Sequence, residues 1–494
     1  MARIQPVVVL NLVGLTPELL GPHTPHLNRL AKKGGCLPVQ AVTPAVTCSA
    51  QATYLTGCLP SEHGIVGNGW YKREDAEIAF WKQSNHLIRR PMIWDTVRAM
   101  APGLKTAQLF WWYNMHSSAD WAVTPRPQYP ADGRKIPDIY TNPPGLRDEL
   151  QSRLGTFPLF YFWGPNADIR SSHWIRDCAL RVFDEKMPHL GFVYIPHLDY
   201  NLQRLGPDDP AIRKDVEMVD AIAGDFIDRL TPRGYRIIVL SEYGITRTDR
   251  PVHINRILRN EGLLVLREEN GREYLDPGAS PAFAVADHQI AHVYVADRNL
   301  IPRVRDLLRG VPGIERVCAG EERVALGLDH ERSGDVIAIS DERSWFTWYT
   351  FREGAEEKAP DYARTVDIHR KPGYDPVELF LDPKIRVPAL KVGGKLLRKA
   401  LGFRTLMDVI PLDATLVKGS HGRPTDRPEQ GPLVMTSEGG LLPDADSIPA
   451  VKIHDLIVDH MTPPGSRRTT PSTRPAQQPP AAEAPGENPP GLLH

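Results

Sequence analysis

Side chains able to do phosphoryl or hydrolytic chemistry collect in a few short windows. The run "TPAVTCSAQATYLTGCLPSEHGIVGNGWY", Thr43 to Tyr71, sets Thr47, Cys48 and Ser49 in succession at a predicted helix start. Small polar residues there cap free backbone N–H groups. The same N–H groups, with the helix dipole, favour an anion such as phosphate. Thr47 therefore reads either as a cap or as a nucleophile. Polar groups also stand at or just past the ends of strand-like runs: Asn11 in "PVVVLNLVG", Asp199 after "LGFVYIPHLD", Glu242 and Tyr243 in "YRIIVLSEYG". His421 lies in the Gly-rich "KGSHGRP", where an imidazole has little packing role. Further candidates to complete a site are His197, His253, His288, His292, Asp287, Asp367 and His369.

The elements that must position these groups repeat as a short β-branched run, a turn and an amphipathic segment. In "AIRKDVEMVDAIAGDFIDRL" the apolar Val216, Val219, Ile222, Phe226 and Leu230 recur at helical spacing. Continuous apolar strands alternating with helices, with "IAHVYVAD" and "GDVIAISD" counted among them, predict an α/β fold with a mostly parallel sheet covered on both faces. Chemistry in such sheets sits beyond the carboxyl ends of the strands. Period-two alternation puts Asn11 on the strand face of Val13 and His197 on that of Asp199. One domain is expected over residues 1–461, with insertions at about 125–163 and 345–412. The Pro-rich stretch 462–494 is expected to be disordered.

Of the 494 residues 41% are hydrophobic and 24% charged, ordinary for a globular chain. The net charge of −1 leaves no basic field for a nucleic-acid polymer. Five scattered cysteines without a CxxC pair argue against a disulfide framework and for a reducing compartment. The early apolar run is short, is broken by Asn11 and is followed by no small-residue cleavage site, so it reads as a buried first strand. No apolar run approaches the roughly 20 residues of a membrane span. A cytoplasmic protein is expected.

In this order the motifs resemble those of the type I phosphodiesterase and nucleotide pyrophosphatase family of the alkaline phosphatase superfamily. The landmarks are "VTCSAQATYLTGCLPSEHGIVGN", in register from Thr47 through Thr56, Gly57, His63, Gly64 and Asn68; "PMIW"; "LFWWYN"; "DYNLQRLGP"; "SEYG"; and "GSHGRP" with His421. The resemblance implies an alkaline phosphatase-like fold over most of Val7 to about Ser437. It also implies hydrolysis of a small phosphodiester or nucleotide pyrophosphate through a threonine phospho-enzyme intermediate, helped by two zinc ions about 4 Å apart. Thr47 would be the nucleophile. Asp199 and His421 would hold metal, Glu242 stands where the family has an aspartate ligand, and Asn11 can add an oxygen. Asn68, Gln203 and Tyr243 are expected to face the substrate.

Against that pattern, Val13, Gln203 and Tyr243 stand where the family has an aspartate and two histidines, and Ala50 where it has a phosphate-steadying asparagine. Of six usual ligands, Asp199 and His421 remain and Glu242 is a substitute. The expected cofactor is a divalent metal, zinc first; the amide oxygens of Asn11 and Gln203 can also coordinate a hard ion such as magnesium, manganese or calcium. The alternative reading is a catalytically inactive relative that binds a phosphorylated ligand or a partner in a biosynthetic pathway. Cys48 is no formylglycine precursor, because "CSAQA" lacks the Pro and Arg that such a motif needs. His63 is expected to fix its loop through hydrogen bonds to the backbone. Trp111 and Trp112 are expected to pack, with stacking of a base or apolar ester group as the alternative.

Overall fold

The computed structural model describes residues 4–367 and 370–462. His369 and all but the first residue of the stretch expected to be disordered lie outside the described residues. Its centre is a nine-stranded sheet in which β1 (Val7–Leu12) is flanked by β2 (Leu190–Ile195) and β3 (Arg236–Leu240), both parallel to it. The run "VVVLNL" forms the innermost strand because every residue in it can be buried on both faces, as in parallel sheets covered by helices. Beyond β2 lie Thr106–Leu109 and Trp121–Pro125, again parallel. Antiparallel pairs join Leu433–Thr436 to β3, Cys36–Gln40 to Leu433–Thr436, and Ile139–Asn142 to Trp121–Pro125. Residues 139–142, expected within an insertion, thus form the sheet's edge strand.

"IAHVYVAD" and "GDVIAISD" do not join this sheet, contrary to the sequence reading. They belong to a separate four-stranded antiparallel sheet with Ala282–Asp287 and Ile314–Ala319. Both are buried on both faces, so their continuous apolar character is the same as that of a parallel core strand. Its hairpin turn at His288 and Gln289 approaches the carboxyl end of the main sheet through Gln289 N–H, which donates to the His421 carbonyl at 2.8 Å. Trp345, Trp348, Tyr349 and Phe351 form a further apolar cluster with Val377, Ala414 and Val417.

Register sets what meets at the carboxyl edge. Asn11 pairs with Tyr194 of β2 and Leu240 of β3, so Asn11, Tyr194 and the "SEYG" turn after Leu240 come out side by side. Helix α1 (Thr47–Thr56) is buried along its whole length. Helix α2 (His197–Leu205) starts two residues after β2, and α3 (Ile212–Leu230) packs against it with its apolar stripe inward.

Gly244 closes the "SEYG" turn where two backbones nearly touch: a Cβ there would lie 1.6 Å from the Gln430 carbonyl oxygen. Neither backbone can yield as a flexible side chain would. Gly244→Ala is expected to cost more than about 2 kcal/mol and to lower the melting temperature clearly. An unchanged melt would mean that these loops separate freely.

Candidate active site

Three buried carboxyl groups and one hydroxyl organise the carboxyl edge of the sheet. Thr47 opens α1 as its first helical residue; the capping position belongs to Val46, which has no side-chain bond to offer. The Thr47 hydroxyl is therefore not spent on capping. It lies 3.3 Å from the Tyr243 hydroxyl, which in turn donates to Asp199 Oδ1 at 3.1 Å. Gln203, one helical turn after Asp199 on α2, donates its amide to Asp199 Oδ2 at 2.7 Å.

Glu242 is buried behind this row. Its Oε1 accepts amide N–H groups from both Asn11 and Gln51, each at 2.5 Å, while Oε2 has no hydrogen-bond partner. The Thr47 hydroxyl stands near enough to help lower the carboxyl's pKa. Gln51 is itself aimed by the Trp112 N–H, which donates to its Oε1 at 2.7 Å. The third carboxyl, Asp287, accepts from the Asn68 backbone and amide N–H groups and from Tyr374. Asn68 also caps α1, its Oδ1 accepting from Cys48 N–H at 3.0 Å.

Burial pushes all three carboxyls upwards: Asp287 to about 6, Asp199 to about 7 and Glu242 to about 8. Among the described residues, no Lys or Arg lines the cleft they serve. Arg204 on α2 is turned away and gives its donors to the carbonyls of Gly164, Ala167 and Leu379. The imidazole of His421 stacks on Tyr243 at 3.7 Å, and burial lowers its pKa to about 3. Its Nδ1 donates to the Ala45 carbonyl in the neutral tautomer, which leaves Nε2 as a lone-pair donor.

Aromatic rings build the walls, which enclose about 470 Å³ including the mouth. Trp81 packs on Trp112 and Tyr374, and Trp163 on Tyr374. The Trp163 indole N–H is held by Glu378, which pairs with buried Lys371.

Thr47, Asp199, Gln203, Tyr243, His421 and Asn68 thus all line one cleft, from five separate parts of the chain. Asn11 and Glu242, expected as metal ligands, do not line it: the two are bonded to each other beneath its floor. His197 is also corrected. Residues 197–205 are helical, so positions two apart diverge, and His197 turns to Asp215 of α3 at 3.0 Å. His292 bonds the Val66 carbonyl and His253 the Thr347 hydroxyl, both outside the cleft. His63 fixes its loop by accepting from Ile65 N–H at its Nδ1. Trp111 is core and packs on Phe192, whereas Trp112 reaches the cleft. His288 lines the cleft too, held by Tyr374 at 2.9 Å and packed on His421. Tyr194, Trp81, Trp163 and Tyr374 were not singled out from sequence, since an aromatic in an apolar run carries no mark of which surface it will face.

Among the described residues, no three His, Cys, Asp or Glu side chains converge on a point where they could hold a metal. Two zinc ions on the family plan do not fit: Val13 offers no donor, and Tyr243 joins Thr47 to Asp199 by hydrogen bonds. A single ion fits better. Asp199 supplies a carboxylate, His421 its Nε2, and Gln203 a buried Oε1 that has no hydrogen-bond partner.

The sequence model of type I phosphodiesterase / nucleotide pyrophosphatase matches residues 7–375. An uncharacterised pyrophosphatase/phosphodiesterase of Schizosaccharomyces pombe is 25% identical over 253 residues, 49% of this chain and 45% of the relative. The match thus spans about half the length of that curated relative. Phosphonoacetate hydrolase from Sinorhizobium meliloti, in complex with phosphonoformate, superposes with a TM-score of 0.58 at 14% identity, over 93% of this chain and 96% of that one. Murine ectonucleotide pyrophosphatase / phosphodiesterase 5, as an inactive variant with AMP, gives 0.54 at 16% identity over 92% and 95%. These structures share the alkaline phosphatase-like fold.

A carboxyl whose folded pKa is raised lends stability that is full below its unfolded pKa and is lost as pH rises through the folded value. With Glu242 at about 8, the melting temperature of the wild type should fall between about pH 5 and about pH 9. Glu242→Gln should flatten the upper part of that fall and melt several degrees higher than wild type at the alkaline end. Parallel curves for the two proteins would show that Glu242 is ionised throughout.

Proposed function

The chain belongs to the type I phosphodiesterase / nucleotide pyrophosphatase family, and from that premise we propose that it hydrolyses a small phosphoric diester or nucleotide pyrophosphate with Thr47 as nucleophile. The observation that carries this reading is the Thr47 hydroxyl itself: free of capping duty, at the floor of the cleft, beside a buried carboxyl with an unpartnered oxygen. As the bond from Thr47 Oγ1 to phosphorus forms, Glu242 takes the hydroxyl proton. The ester oxygen leaves and is protonated by solvent. Water then attacks the phosphothreonine and loses its proton to solvent. Thr47 departs from phosphorus and recovers its proton from Glu242.

Tyr243 orients Thr47 through its hydroxyl, and the dipole of α1 faces the phosphoryl oxygens. Asn68 positions the start of α1 and borders the substrate. The aromatic walls take the organic part of the ester and keep water from it. Members of the family generally depend on divalent metal ions. Here one ion would be held by Asp199, Gln203 and His421; when bound it would neutralise charge on a phosphoryl oxygen. The amide oxygen of Gln203 suits magnesium or manganese as well as zinc.

A second reading, a binding relative without turnover, is favoured by a different observation. Every oxygen of Asp199, and one of Glu242, is satisfied by neutral hydroxyl or amide donors where the family has metal.

Elemental analysis of the purified protein, with hydrolysis of a chromogenic nucleotide phosphodiester, separates the two. The hydrolase reading expects close to one divalent ion per chain, and at least about a 10³-fold loss in Thr47→Ala. It also expects a rate that climbs with pH through about 8. Glu242→Gln should lose about 10²- to 10⁴-fold and the pH dependence with it. Saturable binding of the diester without turnover, metal added or not, would establish the second reading instead.

A further inference from the structure

Helix α4 (Pro388–Ala400) is amphipathic, yet it buries no residue. Leu390, Leu397 and Leu401 fall within a narrow arc at 100° per residue and are 74, 63 and 67% exposed. Phe403, just past the helix, is 58% exposed. Among the described residues, eight of the thirteen exposed large apolar side chains lie between Leu381 and Leu406. No described residue covers them: Gly393 and Gly394 have nothing within 4 Å of a Cβ placed on them. The helix is held instead by its other flank. Lys391 donates to the Asp408 carbonyl at 2.7 Å and Lys395 to the Leu406 carbonyl at 2.8 Å, with Lys395 also paired to the Asp408 carboxylate. A soluble helix turned the ordinary way would bury its leucines and expose its lysines.

The segment is also basic beyond Lys391 and Lys395, which pair with Asp408. From Lys384 to Arg404 there are seven Lys and Arg residues and no Asp or Glu, in a chain whose net charge is −1. We propose that α4 and its flanks lie in the interface of an anionic lipid membrane, with the leucine face among the acyl chains and the basic residues at the headgroups. Cations spread along about twenty residues suit a continuous anionic plane better than the localised acids of a protein groove. A second copy of the same stripe would bring like charges together. At 13 residues the helix is about 20 Å long and rests on the surface rather than crossing it. This inference is independent of the chemistry assigned to the cleft.

Co-sedimentation of the full chain with vesicles tests it. Binding is expected to phosphatidylcholine vesicles containing about one third phosphatidylglycerol, not to phosphatidylcholine alone, and to weaken as salt rises. Leu397→Glu with Leu401→Glu should reduce binding at least about tenfold. So should Arg398→Glu with Lys399→Glu; Arg398 is exposed and Lys399 half-buried, and a thermal melt of each variant verifies that it folds. Absence of binding at low salt, or equal binding to both vesicles, would overturn the proposal. So would a dimer in light scattering that the leucine variant dissolves, because the face would then be covered by a second copy. The salt dependence of the wild type stands even if a variant folds poorly.

Discussion

The interaction on which the rest of the site depends is the burial of Asp199, Glu242 and Asp287 under a cleft that, among the described residues, no Lys or Arg lines. A carboxylate taken out of water must find a cation, accept hydrogen bonds, or hold its proton. Here neutral donors surround all three: amides of Asn11, Gln51, Gln203 and Asn68, and hydroxyls of Tyr243 and Tyr374. Those donors arrive from β1, α1, the loop that carries Asn68, α2, the turn after β3 and the loop that carries Tyr374, which packs on the second sheet. The sheet register, the course of α1 and the packing of the second sheet are therefore all constrained by the same few oxygen atoms.

Seen this way, the departures from the family pattern form one set. Val13 removes a negative charge, and Gln203 and Tyr243 replace imidazoles by groups that donate a hydrogen bond and also present an oxygen. Glu242, one methylene longer than aspartate, meets two amides below the floor. Each change lowers the need for a second cation. On the proposed reading Asp199 and His421 would hold the one ion; the Ala45 carbonyl keeps His421 in the tautomer whose Nε2 carries a free lone pair. The cleft also carries an asymmetry that selects ligands: its walls are aromatic, its floor is acidic, and positive charge must come from an ion, from a helix dipole or from the ligand itself.

Helix α4 answers to a different constraint. Its leucines cannot be satisfied by the core, because the lysines on the opposite flank are already tied to Asp408 and to backbone carbonyls nearby. Reversing the helix would break those bonds and bury charge. The orientation that looks wrong for water is thus the one the local polar contacts enforce, and its apolar face is left for a surface outside the chain.

The sequence by itself determined the local features. Runs such as "VVVLNL" can only be core strands, the 216–230 periodicity can only be a one-faced helix, and the ordered landmarks from Thr47 to His421 place their residues at strand ends. It also gave the structural role of His63, because this depends on residue identity and near neighbours. Tertiary structure alone decided the rest. An apolar run reads alike in a parallel sheet and in a buried antiparallel one, so sequence alone puts "IAHVYVAD" and "GDVIAISD" in the main sheet, whereas they belong to the second. Position in a helix rather than a strand sent His197 to Asp215, and a crossing of distant loops brought Tyr374, Trp163 and His288 to the cleft. The sequence names the donors a carboxylate can have; which of them it meets is set by contacts between residues hundreds of positions apart, such as Asn11 and Glu242.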